Sequence, residues 1–285
     1  MSRLKIAIQK NGRLSEKSLK LLKDSGIKVS NDTRKLKTEA SNFPLEILFL
    51  RDDDIPQYVE QGVADIGILG ENEVLEQGRP VKTVQALGFA SCRMCLAISK
   101  EIDYPGIQYF HNKRIATSYA NILRPYLAKK GVTAEIENIS GSVEIAPGIG
   151  LADGIFDIVS TGSTLIMNGL KEVETVITSQ ATLIANRNLT EEKQELLEKL
   201  LFRFKAVQAA NTNKYILLNA PNKAINAISK ILPGMKSPTV LPLAKAGWSS
   251  IHSVVQEDPF WEVIDQLREL GAEGILIIPI EKMIL

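Results

Sequence analysis

The chain is 285 residues long, which on a prior of roughly 150 residues per domain suits two domains. It is 45% hydrophobic and 24% charged, an ordinary balance for a globular protein that buries sizeable cores. Its 34 Lys and Arg against 33 Asp and Glu exclude a bulk field that would recruit nucleic acid or an anionic membrane, so any anionic ligand must be held locally.

The opening MSRLKIAIQKNGRL is charged from its first few residues and has no long apolar run, so no signal peptide is expected and cytoplasm is the expected location. LKIAI (4–8) reads as a strand, QKNGR (9–13) as a loop, and Ser15 as the N-cap of a helix closed by Gly26. LEILFL (45–50) is the next strand. Asp52, Asp53 and Asp54 then open a short helix, where acids complement the helix dipole, and VADIGILG (63–70) is a buried strand ending in glycine. Cys92 and Cys95 are spaced C-x-x-C, but an apolar run continues through them and His111 and His252 lie far apart. The cysteines are expected to be structural, and triad-type nucleophilic catalysis is not expected.

From about residue 114 the pattern restarts. KRIATS (113–118) is a strand running into the helix ANILRPYLAKKG, AEIENI (134–139) is a strand, SVEIAPGIGLADG is a helix with a Pro–Gly interruption, and GIFDIVSTG is another buried strand. GVADIGILG (62–70) and GIFDIVSTG (154–162) align without gaps, pairing Asp65 with Asp157 and Gly70 with Gly162. Two such units read as two lobes of a doubly wound α/β fold with ligand bound between the carboxyl ends of their strands. TLIANRN (182–188) returns to the first lobe, and a long amphipathic helix covers 190–210. The rest reads β-α-β-β-α-β and ends in GILIIPI (274–280), far short of the roughly 20 apolar residues of a membrane span.

One short stretch concentrates the chemistry. The strand ending at Thr161 turns through Gly162 into a helix beginning near Ser163, where unpaired backbone N–H groups carry the positive helix end. Gly162 admits a ligand close to the backbone, and the hydroxyls of Thr161, Ser163 and Thr164 add donors, a cup for a phosphate monoester. Glu144, Asp153 and Asp157 lie just upstream. They repel phosphate and instead suit sugar hydroxyls or a Mg²⁺ that arrives with a diphosphate, so the whole points to a phosphorylated sugar. Asp157 also has a structural reading, since Asp65 occupies the same place in the repeat.

The run EIAPGIGLADGIFDIVSTGSTL (144–165) resembles the signature of the ATP phosphoribosyltransferases. The likeness continues in IAIQKNGRLS (6–15), RDDDIP (51–56), DIGILGEN (65–72), KRIATSY (113–119), LPGMKSPT (232–239), LPLA (241–244) and ILIIPIEKM near the end. It covers essentially the whole chain and includes the C-terminal module of the family's long form, so no separate regulatory subunit is expected. The resemblance implies joining N1 of ATP's adenine to C1 of phosphoribosyl diphosphate (PRPP), with release of pyrophosphate, a need for Mg²⁺ and feedback inhibition by histidine. It implies a two-lobed core resembling type II periplasmic binding proteins followed by a ferredoxin-like, ACT-type domain, in a homo-oligomer from dimer to hexamer. The boundaries expected are 1–100 plus 180–211 for the first lobe, 101–179 for the second and 212–285 for the regulatory domain.

By that resemblance Glu144, Asp153, Asp157, Thr161, Gly162, Ser163 and Thr164 would bind PRPP, with Asp153 and Asp157 on the ribose hydroxyls or metal-bound water. Lys10, Gly12, Arg13, Leu14, Arg51 and Glu71 would bind ATP, and Arg93 is a further candidate for nucleotide. Lys10, Arg13, Asp153 and Asp157 would carry catalysis. The metal would be held largely through substrate phosphates, and histidine would sit near Asn219 and Thr239. Two alternatives differ in class. An ACT-regulated prephenate dehydratase would carry a Thr-Arg-Phe motif late in its core, where this chain has IANRN. A solute-binding or effector-sensing protein leaves the hydroxyl-rich cup beside carboxylates unexplained.

Overall fold

The computed structural model describes residues 2–29 and 36–284, and the chain divides into two compact units. The first is Met1–Lys20 with Lys28–Leu196, and the second is Leu21–Ile27 with Leu197–Leu285.

The first unit holds two sheets. In chain order its opening elements are β1 (Leu4–Gln9), α1 (Arg13–Asp24), β2 (Lys37–Glu39), β3 (Leu45–Leu50), a 3₁₀ turn at Asp52–Asp54, α2 (Ile55–Glu60), β4 (Ile66–Gly70), α3 (Glu71–Gln77) and β5 (Lys82–Ala86). Then follow β6 (Cys92–Ser99), β7 (Arg114–Thr117), α4 (Ala120–Lys129), β8 (Glu135–Asn138), β9 (Gly154–Val159), α5 (Ser163–Met167), β10 (Leu170–Ser179) and β11 (Ala181–Ala185), and α6 (Glu191–Asn211) carries the chain on into the second unit. The first sheet runs β2-β3-β1-β4-β11-β5 and the second β10-β6-β9-β7-β8. The parallel strands β1, β3 and β4 read as near-continuous apolar runs because both their faces are covered, and Leu4, Ile6, Ile8, Ile47, Ile66 and Ile68 are wholly buried.

Several expectations shift. The first lobe, expected to extend to residue 100, ends before Cys92, because β6 pairs with β9 and β10 of the second sheet. The first helix begins at Arg13, not after Ser15. Gly12, at φ +94°, reverses the chain, its carbonyl accepts the Glu16 N–H, and Ser15 is buried within the helix. The expected helix over 142–154 reduces to a 3₁₀ turn at Val143–Ile145 followed by irregular turns, since Pro147 has no N–H to continue it. Strand β10 was not foreseen: two irregularities in its pairing with β6 and its interleaved Lys171, Glu172 and Glu174 hide the two-residue period.

The internal repeat is real but four residues out of register. Ile6 pairs with Ile66 in the first lobe, and Ile115 pairs with Gly154 in the second. In the first, the Lys5 N–H donates to the Asp65 carboxylate at 2.7 Å and the Asp65 N–H to the Lys5 carbonyl at 2.9 Å. In the second, Arg114 and Asp153 exchange the same two bonds at 2.9 and 2.8 Å. The structural counterpart of Asp65 is therefore Asp153 and not Asp157. Each fastens the start of its strand to the strand beside it.

The second unit contains β12 (Asn213–Pro221), α7 (Ile225–Ile231), β13 (Thr239–Pro242), β14 (Trp248–Gln256), α8 (Glu257–Glu269) and β15 (Glu273–Pro279). Its strands are antiparallel in the order β13-β14-β12-β15, the ferredoxin-like arrangement expected from the β-α-β-β-α-β pattern. Ile216, Leu218, Ile228, Ile251, Phe260 and Leu267 form its core.

Candidate functional site

Parallel pairing brings functional loops to one edge of each sheet. In the first, the carboxyl ends of β1, β3 and β4 carry Lys10, Arg51 and Glu71. In the second, β9 ends at Val159 and leads into Ser160–Thr164, and the antiparallel β6 begins and β10 ends at that same edge. The chain crosses between the sheets there, at 87–91 and again at Gln180, where the Gln180 carbonyl accepts the Glu71 N–H at 2.9 Å. A cavity of about 380 Å³ lies at the crossovers, lined by Glu71, Ser91, Arg93, Ser160, Ser179 and Gln180. Ligands of open α/β sheets bind outside carboxyl strand ends such as these.

The turn after β9 is built as a small cup. Gly162 takes the left-handed conformation, φ +82° and ψ −2°, which a side chain would strain. The Thr161 and Ser163 hydroxyls lie 3.0 Å apart, Thr164 is exposed beside them, and buried Leu165 anchors the turn in the core. One expectation weakens: α5 is only five residues long, so its macrodipole is small and the cup depends on local N–H groups and hydroxyls.

The three acids separate. Asp157 is half-buried on the face of β9 that packs toward the Val143–Ile145 turn. Burial, reinforced by the nearby charge of Glu144, raises its carboxyl to about 6 against the hydrogen bond from the Ile158 N–H. Asp153 is not in this group. It precedes β9 at the opposite end of the six-residue strand, about 20 Å away at roughly 3.3 Å per residue, beside Lys113 and Arg114. Its backbone bonds to Arg114 make it a fastening residue of the sheet.

In the first lobe, Lys10 and Gly12 are exposed on the loop after β1, with Arg13 exposed and Leu14 half-buried at the start of α1. The Lys10 N–H is tied to the Leu50 carbonyl at 2.8 Å, which holds this loop beside Arg51. Arg51 is exposed, and its guanidinium donates to both oxygens of Asp53, at 3.1 and 3.0 Å, so an anion would have to compete for it. Arg93 is likewise engaged, by Glu172 at 2.6 and 2.7 Å. Cys92 and Cys95 are free thiols within β6, and burial with the Glu172 contact pushes Cys95 to about 12. Among the described residues no group of three or more His, Cys, Asp and Glu is placed to hold a metal ion.

A link between the lobes had no sequence signal. Glu76 of α3 accepts the Asn121 and Ile122 N–H groups, both at 3.0 Å, and so caps α4. Glu73 is buried at 8% exposure and bonded to Tyr119 and, at 3.1 Å, to the Asn72 amide. Burial raises its carboxyl to about 7, the Tyr119 bond opposes the rise, and Asp52, Asp53 and Glu76 add to it. A folded-state value above the unfolded 4.5 gives stability that is full at low pH and lost as pH rises through 7. Glu73→Gln keeps the acceptor without the charge. It is expected to be more stable than the parent by about 3 kcal/mol at pH 8, and by little at pH 5. Urea midpoints at the two pH values check this, and an equal difference at both would contradict it.

In the second unit, Asn219 lies opposite Ser250 and Thr239 opposite His252, on the sheet face away from the helices. His252 has both ring nitrogens occupied, by the Tyr215 hydroxyl at 2.8 Å and the Ser250 hydroxyl at 3.0 Å.

Comparison with known proteins agrees with these features. The family model described as ATP phosphoribosyltransferase matches residues 51–206, and that described as HisG, C-terminal domain, matches 210–282. The chain is 56% identical over 282 residues to an ATP phosphoribosyltransferase of Phocaeicola vulgatus, covering 99% of this chain and 100% of that one. It is 57% identical over 281 residues to that of Bacteroides thetaiotaomicron, covering 99% of both. A chain of the ATP phosphoribosyl transferase (HisG:HisZ) complex from Thermotoga maritima superposes with TM-score 0.61 at 32% identity, over 71% of this chain and 96% of that one. The substrate-binding protein of an amino acid ABC transporter, 11% identical with TM-score 0.50 over 74% of this chain and 95% of that one, shares the fold alone. Matches spanning both units and nearly every residue leave no place for a dehydratase or a bare binding protein: the chain belongs to the ATP phosphoribosyltransferase family.

Proposed function

We propose that the crevice holds PRPP by its 5′-phosphate in the Thr161–Thr164 cup and ATP on the loops after β1 and β3, with adenine N1 directed at C1 of the ribose. The enzyme is a pentosyltransferase. The observation that carries the placement is convergence: the hydroxyl-rich turn, a half-buried carboxylate and the basic loops all lie at carboxyl strand ends beside the crossovers.

The chemistry needs little from side chains. Substitution at C1 passes through an oxocarbenium-like state while negative charge grows on the departing diphosphate. Adenine N1 attacks with a free lone pair and has no proton to lose before the bond forms, so no strong base is required for that step. Positioning and electrostatics suffice, which accords with a chain that has only two histidines and two cysteines in all. Lys10, Arg13 and Arg51 would neutralise phosphate charge, with Gly12 and Leu14 shaping that loop and Glu71 near the nucleotide. Asp157, with Glu144 behind it, would take the ribose hydroxyls.

The family's reaction calls for a divalent metal, and Mg²⁺ is our reading. Oxygen donors at Asp157 and Glu144 fit an ion that keeps waters and is held chiefly by the substrate's diphosphate. There it would offset the leaving group's charge.

The C-terminal module would bind L-histidine as inhibitor, with Asn219 and Thr239 on the open sheet face as contacts. A cytoplasmic homo-oligomer, from dimer to hexamer and without a separate regulatory subunit, completes the reading. Pyrophosphate release with ATP, PRPP and Mg²⁺, omitting each in turn and adding L-histidine, tests it. Release should require all three and fall with histidine. Release without PRPP would overturn the reaction, and release insensitive to histidine would overturn the regulatory role.

A further inference from the structure

Arg93 lies at the start of β6, in register with Val159 of β9 on one side and Thr178 of β10 on the other. Its Nε and Nη2 donate to the two oxygens of Glu172 at 2.6 and 2.7 Å, a bidentate fork, while Nη1 donates to the Ser160 carbonyl at 3.2 Å. Glu172 is itself fixed from below. The buried Cys95 thiol donates to it at 3.1 Å, and Thr175, 3.6 Å from that thiol, also bonds to it. Its carboxyl is held below the usual carboxylate range, first by Arg93.

The Ser160 carbonyl belongs to the peptide joining Ser160 to Thr161. A peptide is planar, so fixing that oxygen also fixes the direction of the Thr161 N–H on the opposite side of the same plane. The next residue, Gly162, has no side chain to restrict its backbone and sits at φ +82°. The first donor of the cup is thus set by a side chain from another strand.

We propose that Arg93 and Glu172 form a clamp that positions the phosphate cup through the Ser160 carbonyl, so that PRPP binding depends on the intact pair and not on the positive charge of Arg93 alone. This rests on the reading of Thr161–Thr164 as the 5′-phosphate site. Arg93 is then a positioning residue. Lysine cannot replace it, because an ammonium lacks the planar fork that holds a carboxylate and a carbonyl at once.

The alternative, direct contact between Arg93 and phosphate, makes the opposite prediction for Glu172. Neutralising Glu172 would release the guanidinium's charge toward the ligand and tighten PRPP. If Arg93 is a clamp, the same change loosens the cup and weakens PRPP.

The test measures KM for PRPP and for ATP in Glu172→Gln, Arg93→Lys and Arg93→Met, with thermal unfolding to confirm the fold. Glu172→Gln is nearly isosteric and keeps an acceptor for Cys95, so it reports even if an Arg93 variant does not fold. Each variant is expected to raise KM for PRPP about tenfold, the scale of one charge-assisted hydrogen bond, with KM for ATP within about twofold. Unchanged or lower KM for PRPP in Glu172→Gln would overturn the clamp, as would wild-type behaviour of Arg93→Lys or equal shifts in both KM values. If Thr161→Val with Thr164→Val raises KM for PRPP while Glu172→Gln does not, the cup stands and the clamp fails. If neither moves it, the cup itself is misassigned.

Discussion

Replacing Thr161 and Thr164 together by valine is expected to raise KM for PRPP about a hundredfold while KM for ATP stays within about twofold, at roughly tenfold per hydrogen bond to a charged phosphate. Valine matches threonine in shape, and both side chains are exposed, so the fold should survive. The change removes two hydroxyl donors, including the partner of the Ser163 hydroxyl at 3.0 Å, and leaves the backbone of Gly162 untouched. Initial rates with each substrate varied in turn check the split. Equal shifts in both KM values would remove the phosphate from this turn.

Lys193→Met should produce the largest loss of stability. Lys193 reaches from α6 to Asp65, its Nζ 2.7 Å from a carboxylate whose side chain is only 4% exposed. The other carboxylate oxygen is occupied by the Lys5 N–H at 2.7 Å. Without the ammonium, a buried charge keeps only that backbone donor, and breaking a buried pair from one side costs about 3–5 kcal/mol. The melting temperature should fall on the order of 10 °C. Adding Asp65→Asn should recover part of the loss, since a neutral amide needs no counter-charge. A fall of a degree or two, or no recovery in the double variant, would contradict the account.

Period and punctuation made most of the fold readable. The apolar runs at 4–8 and 45–50 became β1 and β3, and the ferredoxin-like module was visible in its element order. Pairing partners were less readable. Asp65 was matched to Asp157 because both stand in Gly-bounded apolar runs, whereas backbone bonding makes Asp153 its counterpart and moves that residue to the far end of the strand. The same local reading left Cys92–Ser99 in the first lobe, since nothing in a strand's own sequence names its neighbours.

The site divides along the same line. Thr161–Thr164 and the Lys10–Arg13 loop are contiguous, and contiguous motifs can be read. Glu172 with Arg93, 79 positions apart, and Glu73 with Tyr119 meet only through tertiary structure. Arg51 was legible as a charge, but its engagement by Asp53 was not.

A crystal structure of the enzyme with PRPP is the most direct test of the central claim. The 5′-phosphate should lie within hydrogen-bond distance of the N–H groups and hydroxyls of Thr161–Thr164, with the ribose beside Asp157 and far from Asp153. A 5′-phosphate seated on the Lys10–Arg13 loop, with Thr161–Thr164 making no contact to the ligand, would contradict it.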